Sequence, residues 1–217
     1  MKLISIQVGL PKELGDSTSG DPFDKPWKSG FLKTPVAGKV MVNRLNLAGD
    51  GQADLENHGG ADKAINSYPR EHLLHWEKAL KLKLDPGAFG ENFSVEEKTE
   101  NEVCIGDKFQ IGKVILQVSQ PRQPCWKLAR RWRVKDLAVQ VEQTGKTGWY
   151  FRVLNEGTVE APGEMTLIDS PHPEWTVSRA NEIMHHRKDD HEAALALAAC
   201  PSLSESWKNS LSRRAAQ

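Results

Sequence analysis

The feature that most constrains this chain is a change of texture near Ser170. Before it, short β-type runs are cut repeatedly by Gly, Pro and Asp; after Pro173 come 44 residues with no glycine and one proline, Pro201. Punctuated apolar runs favour strands joined by turns, whereas a long glycine-free stretch favours helices. The expectation is two parts, 1–170 and 171–217.

Within the first part, Ile4, Ile6 and Val8 alternate as in a half-buried strand, and Val40-Met41-Val42 makes another. Gly106-Asp107 and Gly112-Lys113 divide the next apolar runs into a hairpin, 108–111 against 114–118. Further strands are expected over 149–154 and 165–168. Several short antiparallel strands predict a closed or nearly closed β-barrel, since closure removes exposed edges. Helices interrupt it: one after Pro69 carrying Leu73, Trp76 and Leu80, one over 124–132, and one over 135–144 that stops at Gly145. The first part is thus mainly β with helical insertions.

The tail reads as three helices. Val177, Ala180, Ile183 and Met184 mark the first; Asp189 or Asp190 caps a second carrying Ala194, Leu195 and Ala198; Ser204 opens a third with Trp207 and Leu211. Helices this short bury their apolar stripes only against one another or against the barrel, which makes the tail a small packed module.

Composition narrows the partner. The 217 residues carry 29 Lys+Arg and 29 Asp+Glu, a formal balance that argues against a nucleic-acid polymer or an anionic membrane surface. No apolar run approaches the roughly 18 residues of a membrane span, and the start lacks a signal-type apolar core, so a cytoplasmic protein acting on a small molecule is expected. The cysteines at 104, 125 and 200 have no metal-cage spacing and an odd count, which disfavours a disulfide framework.

Chemistry concentrates in Gln120-Pro121-Arg122-Gln123-Pro124-Cys125-Trp126-Lys127-Leu128. Pro121 and Pro124 stiffen the approach to Cys125. With Pro124 at a first helical position, Cys125 would sit in the first turn, where the helix end together with Arg122 and Lys127 favours the thiolate, as a nucleophile or a metal ligand. Cys104, within a strand, and Cys200, at the end of an alanine-rich helix, read as packing residues. A second cluster, Gly49-Asp50-Gly51 followed by His58-Gly59-Gly60, offers converging backbone N–H groups and a titratable ring, although a plain glycine turn accounts for it equally well. Gly145-Lys146-Thr147 lacks the upstream glycine of a phosphate loop, and His72 with His75 lacks the order of a zinc protease.

Taken in order, "GDGQADLENHGGADKA" (49–64), "YPREH" (68–72), "FGENFSV" (89–95), "IGDKFQIG" (105–112), "SQPRQPCWKL" (119–128), "TGKTGWYFRVL" (144–154) and the helical tail resemble the MOSC domain proteins, and within them the YiiM family. The resemblance implies a MOSC-type β-barrel followed by a three-helix module, binding molybdenum cofactor. It implies Cys125 as metal ligand, Arg122 at the pterin or its phosphate, Asn92, His58, Gly59, Gly60, Asp50 and Gly51 along the cofactor, and Lys33 as a phosphate contact. It further implies reduction of N-hydroxylated compounds such as 6-hydroxylaminopurine to amines, with His58 on the proton path. Electrons would come from a separate flavin or iron–sulfur reductase. The alternative is a non-catalytic carrier of cofactor or of persulfide sulfur on Cys125, and a cysteine hydrolase is a third reading.

Overall fold

The computed structural model describes residues 1–216. In chain order the strands are β1 (Lys2–Val8), β2 (Lys12–Leu14), β3 (Trp27–Ser29), β4 (Thr34–Pro35), β5 (Val40–Val42), β6 (Ile65–Pro69) and β7 (Phe93–Glu96). They continue with β8 (Lys108–Ile111), β9 (Val114–Pro121), β10 (Trp149–Asn155), β11 (Gly157–Val159), β12 (Gly163–Glu164) and β13 (Thr166–Asp169). The α-helices are α1 (Leu55–His58), α2 (Glu71–Leu80), α3 (Lys127–Trp132), α4 (Leu137–Thr144), α5 (Val177–Asn181), α6 (His191–Ala198) and α7 (Glu205–Ala215).

The main sheet runs in the order β12-β1-β7-β6-β10-β9-β8-β13, with β4 added beside β1. Its two end strands belong to one extended segment, because only Met165 separates β12 from β13. One half of that segment pairs with β1 and the other with β8, and the Met165 N–H donates to the Met1 carbonyl at 2.9 Å. The sheet therefore curls until a single segment joins its two edges, which leaves little open edge.

The pairing is not purely antiparallel. β6 and β7 run parallel, Ser67 opposite Phe93 and Tyr68 opposite Ser94. A parallel pair needs a crossover, and α2 lies between these two strands in the chain. The register of β1 also departs from the alternation expected of Ile4, Ile6 and Val8. A shift between Leu3 and Ser5 against β7 turns Leu3 and Ile6 fully into the core instead.

Inside the sheet, Leu3, Ile65, Phe93, Phe109, Val118, Trp149 and Phe151 have no solvent exposure. The same apolar cluster continues into the tail through Val177, Ile183, Leu197, Trp207 and Leu211. Asp190 caps α6 and Ser204 caps α7, as their side chains accept from the backbone N–H groups of Ala193 and Trp207. Leu197, not Leu195, is the buried leucine of α6; Leu195 is exposed. A second cluster, built on Tyr68, Trp76, Phe89, Leu128 and Val141, packs the inserted helices α2 to α4 against the outside of the strands. No helix among the described residues is long and apolar enough to cross a membrane.

Candidate functional site

The loop after β9 does not build the helix end expected around Cys125. α3 begins at Lys127, with Trp126 at its cap position, so Pro124 is outside the helix and Cys125 lies two residues before it. At six residues α3 is also short, and Cys125 is held instead by a turn in which its carbonyl accepts from the Leu128 N–H at 3.1 Å. Cys104 and Cys200 are buried, whereas Cys125 is partly open. Burial pushes the Cys104 thiol up to about 11 and also raises that of Cys200, as befits packing residues.

Cys125 opens onto a pocket of about 560 Å³, counting the space at its mouth. Arg122, His58, Asn92, Gly51 and Lys33 line it with Cys125, although only Arg122 and Cys125 share a loop and the others come from four further places in the chain. Asp50, Gly59 and Gly60 do not. The Asp50 carboxylate is buried behind the wall, where it pairs with Lys33, accepts from the Gly9 N–H at 2.9 Å and from Asn92 Nδ2 at 2.9 Å. Asp50 thus braces two lining residues. Gly59 and Gly60 shape the turn after α1, and their backbone serves the turn itself: Gly59 N–H donates to Leu55, and the Gly60 carbonyl receives the Lys63 N–H.

Two buried polar atoms of this wall lack a partner. Arg122 is 3% exposed; its Nη2 donates to the Phe89 carbonyl at 2.9 Å, while Nη1 has no acceptor. Asn66, 7% exposed, leaves its Oδ1 without a donor. An orphaned donor and an orphaned acceptor in one pocket are costly unless a ligand satisfies both. Asn92 differs, because its side chain is fully engaged with Asn66 N–H, Asp50 and the Gln7 carbonyl.

Charge in the lining has one sign. Lys33, Lys63, Arg122 and Lys127 contribute cations, and no Asp or Glu lines the pocket among the described residues. Lys33 is almost fully buried, and burial lowers its affinity for a proton while the Asp50 carboxylate opposes that effect. Burial, and then the Lys127 charge, lowers the His58 imidazole to about 4 against the opposing pull of Asp54. His58 is therefore neutral near pH 7 and has one ring nitrogen free to accept a proton.

Close backbone approach makes the floor. A Cβ added to Gly30 would come within 2.1 Å of the Gly51 carbonyl oxygen, so these two loop segments meet only because residue 30 has no side chain. The loop that receives Arg122 is held by Glu91, a buried carboxylate that accepts from the N–H groups of Gly87 and Phe89 and from the Ser94 hydroxyl. Asn66 is a contribution that no sequence motif marks. Asn66 lies in β6, where all five residues are buried and no alternation marks a functional face.

Among the described residues no three His, Cys, Asp or Glu side chains converge to hold a metal ion. A metal at Cys125 would need most of its ligands from elsewhere, as when it arrives already held by a cofactor. A MOSC domain model matches residues 54–166, and a YiiM-like three-helix domain model matches residues 175–217. The chain belongs to the MOSC family, in its YiiM branch. It is 42% identical over 213 residues to the uncharacterized protein YflK of Bacillus subtilis, covering 98% of this chain and 93% of that one. It is 39% identical over 197 residues to Escherichia coli YiiM, 89% of this chain and 86% of that one. A protein named "Reductase" from Gibberella moniliformis is 32% identical over 163 residues, 73% of this MOSC chain but only 29% of its own length. Among solved structures, YiiM from Geobacillus stearothermophilus superposes with a TM-score of 0.82 at 36% identity, covering 98% of both chains.

Proposed function

We propose that this MOSC protein is a molybdenum-cofactor-dependent reductase of N-hydroxylated compounds. The observation that carries the reading is the pocket beside Cys125: cationic, free of lining carboxylates, and holding an orphaned donor and an orphaned acceptor. MOSC is a molybdenum cofactor family, and the cofactor's phosphorylated pterin presents both acceptors and donors to such a wall. The fungal relative named a reductase is consistent with the redox class.

When bound, the cofactor supplies the two-electron chemistry that converts R–NHOH, with two electrons and two protons, to R–NH2 and water. The residues of the chain would then bind, orient and move protons. Cys125 offers a soft sulfur ligand to the metal. Arg122 Nη1 would supply a donor to the bound cofactor, and Asn66 Oδ1 would supply an acceptor. Lys127 and Lys63 balance its charge. His58, within the same lining, would relay to the substrate the protons consumed on N–O cleavage. Electrons come from a separate flavin or iron–sulfur reductase.

The test is production in a host that makes the cofactor, followed by molybdenum and pterin analysis and turnover of an N-hydroxylated purine with an added electron donor. Loaded protein that reduces the substrate, and a Cys125→Ala variant that keeps its fold but not its activity, are the expected results. Loaded protein without turnover would instead favour the carrier role for Cys125. Full activity in Cys125→Ala would remove that residue as ligand.

A further inference from the structure

Beside the cofactor pocket lies a second, larger cavity, and the wall between them carries His58, Lys63, Gln123, Cys125 and Tyr150, which line both. Its far side is made by the tail: Ser206, Asn209, Ser210 and Arg213 of α7 all face it. Their spacing of three, four and seven residues places them on one helix face, opposite Trp207 and Leu211, which are buried in the core. The polar face of α7 is therefore turned toward Cys125.

This placement is tied down at three points. Ser204 N–H donates to the Ser119 carbonyl at 2.9 Å, Glu205 N–H to Asp62 Oδ2 at 3.2 Å, and Ser206 Oγ to Gln120 Oε1 at 3.2 Å. Ser119 and Gln120 precede the Cys125 loop in the same strand, and Asp62 follows His58. The first turn of α7 is thus fixed to the two segments that carry the reacting groups.

The cavity also has an aromatic side. Trp126, next to Cys125, lines it and is 50% exposed. The ring is propped in place, since Trp27 meets it edge-on at 5.3 Å and the Arg130 guanidinium lies 5.4 Å from its centre. A large aromatic held in position yet half open is a platform on which a flat ring stacks. Asn209 offers a donor and an acceptor side by side, and Arg213 offers a fork of donors, the groups that read the edge of a nitrogen heterocycle.

The geometry points to this second cavity as the substrate chamber, with Trp126 as stacking platform and Asn209 and Arg213 of α7 selecting planar, N-hydroxylated heterocycles. The assignment rests on the reductase reading and deepens it. The tail is then part of the specificity apparatus, and Cys125, on the shared wall, faces cofactor on one side and substrate on the other.

The test uses the full chain and an Asn209→Ala/Arg213→Ala double variant, both on exposed helix positions. With cofactor-loaded protein, KM for an N-hydroxylated purine is expected to rise at least tenfold, while kcat/KM for hydroxylamine, too small to span the chamber, stays within twofold. Separately, cofactor-free protein is titrated calorimetrically with adenine, the unreactive amine form; tenfold weaker binding is expected in the double variant, and weaker binding also in Trp126→Ala. An unchanged purine KM, or a raised KM for the electron donor in its place, overturns the assignment. Adenine that fails to bind the wild-type chain, or binds the double variant equally well, overturns it as well. Loaded wild-type protein that reduces no N–OH compound removes the reductase reading alone, because the adenine titration decides the cavity independently.

Discussion

Arg122 and Phe89 meet through one hydrogen bond, from Nη2 of the guanidinium to the Phe89 carbonyl oxygen at 2.9 Å, which leaves Nη1 buried in the pocket wall without an acceptor. A lysine keeps the charge but cannot both hold that carbonyl and reach a ligand. Arg122→Lys is expected to weaken cofactor retention roughly tenfold to a hundredfold, the worth of one charge-assisted hydrogen bond, with the fold intact. Molybdopterin remaining after dialysis checks it, and wild-type retention would remove Arg122 from the cofactor wall.

Glu91 positions the carbonyl that Arg122 uses. Glu91→Ala would leave two backbone N–H groups and the Ser94 hydroxyl unpaired in a buried loop. The expected cost is about 3 kcal/mol in denaturant unfolding, accompanied by weaker cofactor retention. A stability loss with unaltered retention would separate Glu91 from the site.

His58 should titrate far below an ordinary histidine. In cofactor-free protein its ring protons followed by NMR are expected to move with a midpoint near 4, because burial and the Lys127 charge disfavour the imidazolium. An anion filling the pocket offsets the cationic contribution and shifts the midpoint upward. A midpoint near 6.5 without ligand would contradict the burial described.

His185, in the tail, gives the same shift a different consequence. It lies against Trp207, its Nε2 has no partner, and burial lowers it to about 4. The folded state thus holds the proton less well than the unfolded chain, whose histidines titrate near 6.5. Its contribution is fully present above pH 6.5 and is lost as the pH falls toward 4. The Tm of His185→Gln should therefore fall less than that of the wild type over this window, whereas parallel profiles would show that His185 plays no part.

How far the fold could be read from the sequence depended on whether one face of an element stays wet. The hairpin β8–β9 and the capped helices α6 and α7 carry local signals, alternation and turn glycines in one case, Asp190 and Ser204 in the other. β6 carries none, as both its faces are covered, and with β7 it forms a parallel pair, which no local pattern announces. The same limit applied to the site. Cys125 and Arg122 stand out between prolines, but Asn66 is an ordinary strand asparagine until the fold leaves its oxygen alone. Asp50 sits in a glycine-rich string that suggests ligand contact, yet its partners are Lys33 and Asn92.

The joining of the sheet through Met165 sets an order on assembly. While the chain emerges from the ribosome, β1 is made first, but its neighbour β12 and the strand that covers β8 are the last pieces of the sheet to appear. Until then both flanks of the nascent sheet expose unpaired backbone and are open to association with other chains. Substitutions near Met165 should therefore lower the yield of soluble protein more than they lower the stability of the molecules that succeed in folding.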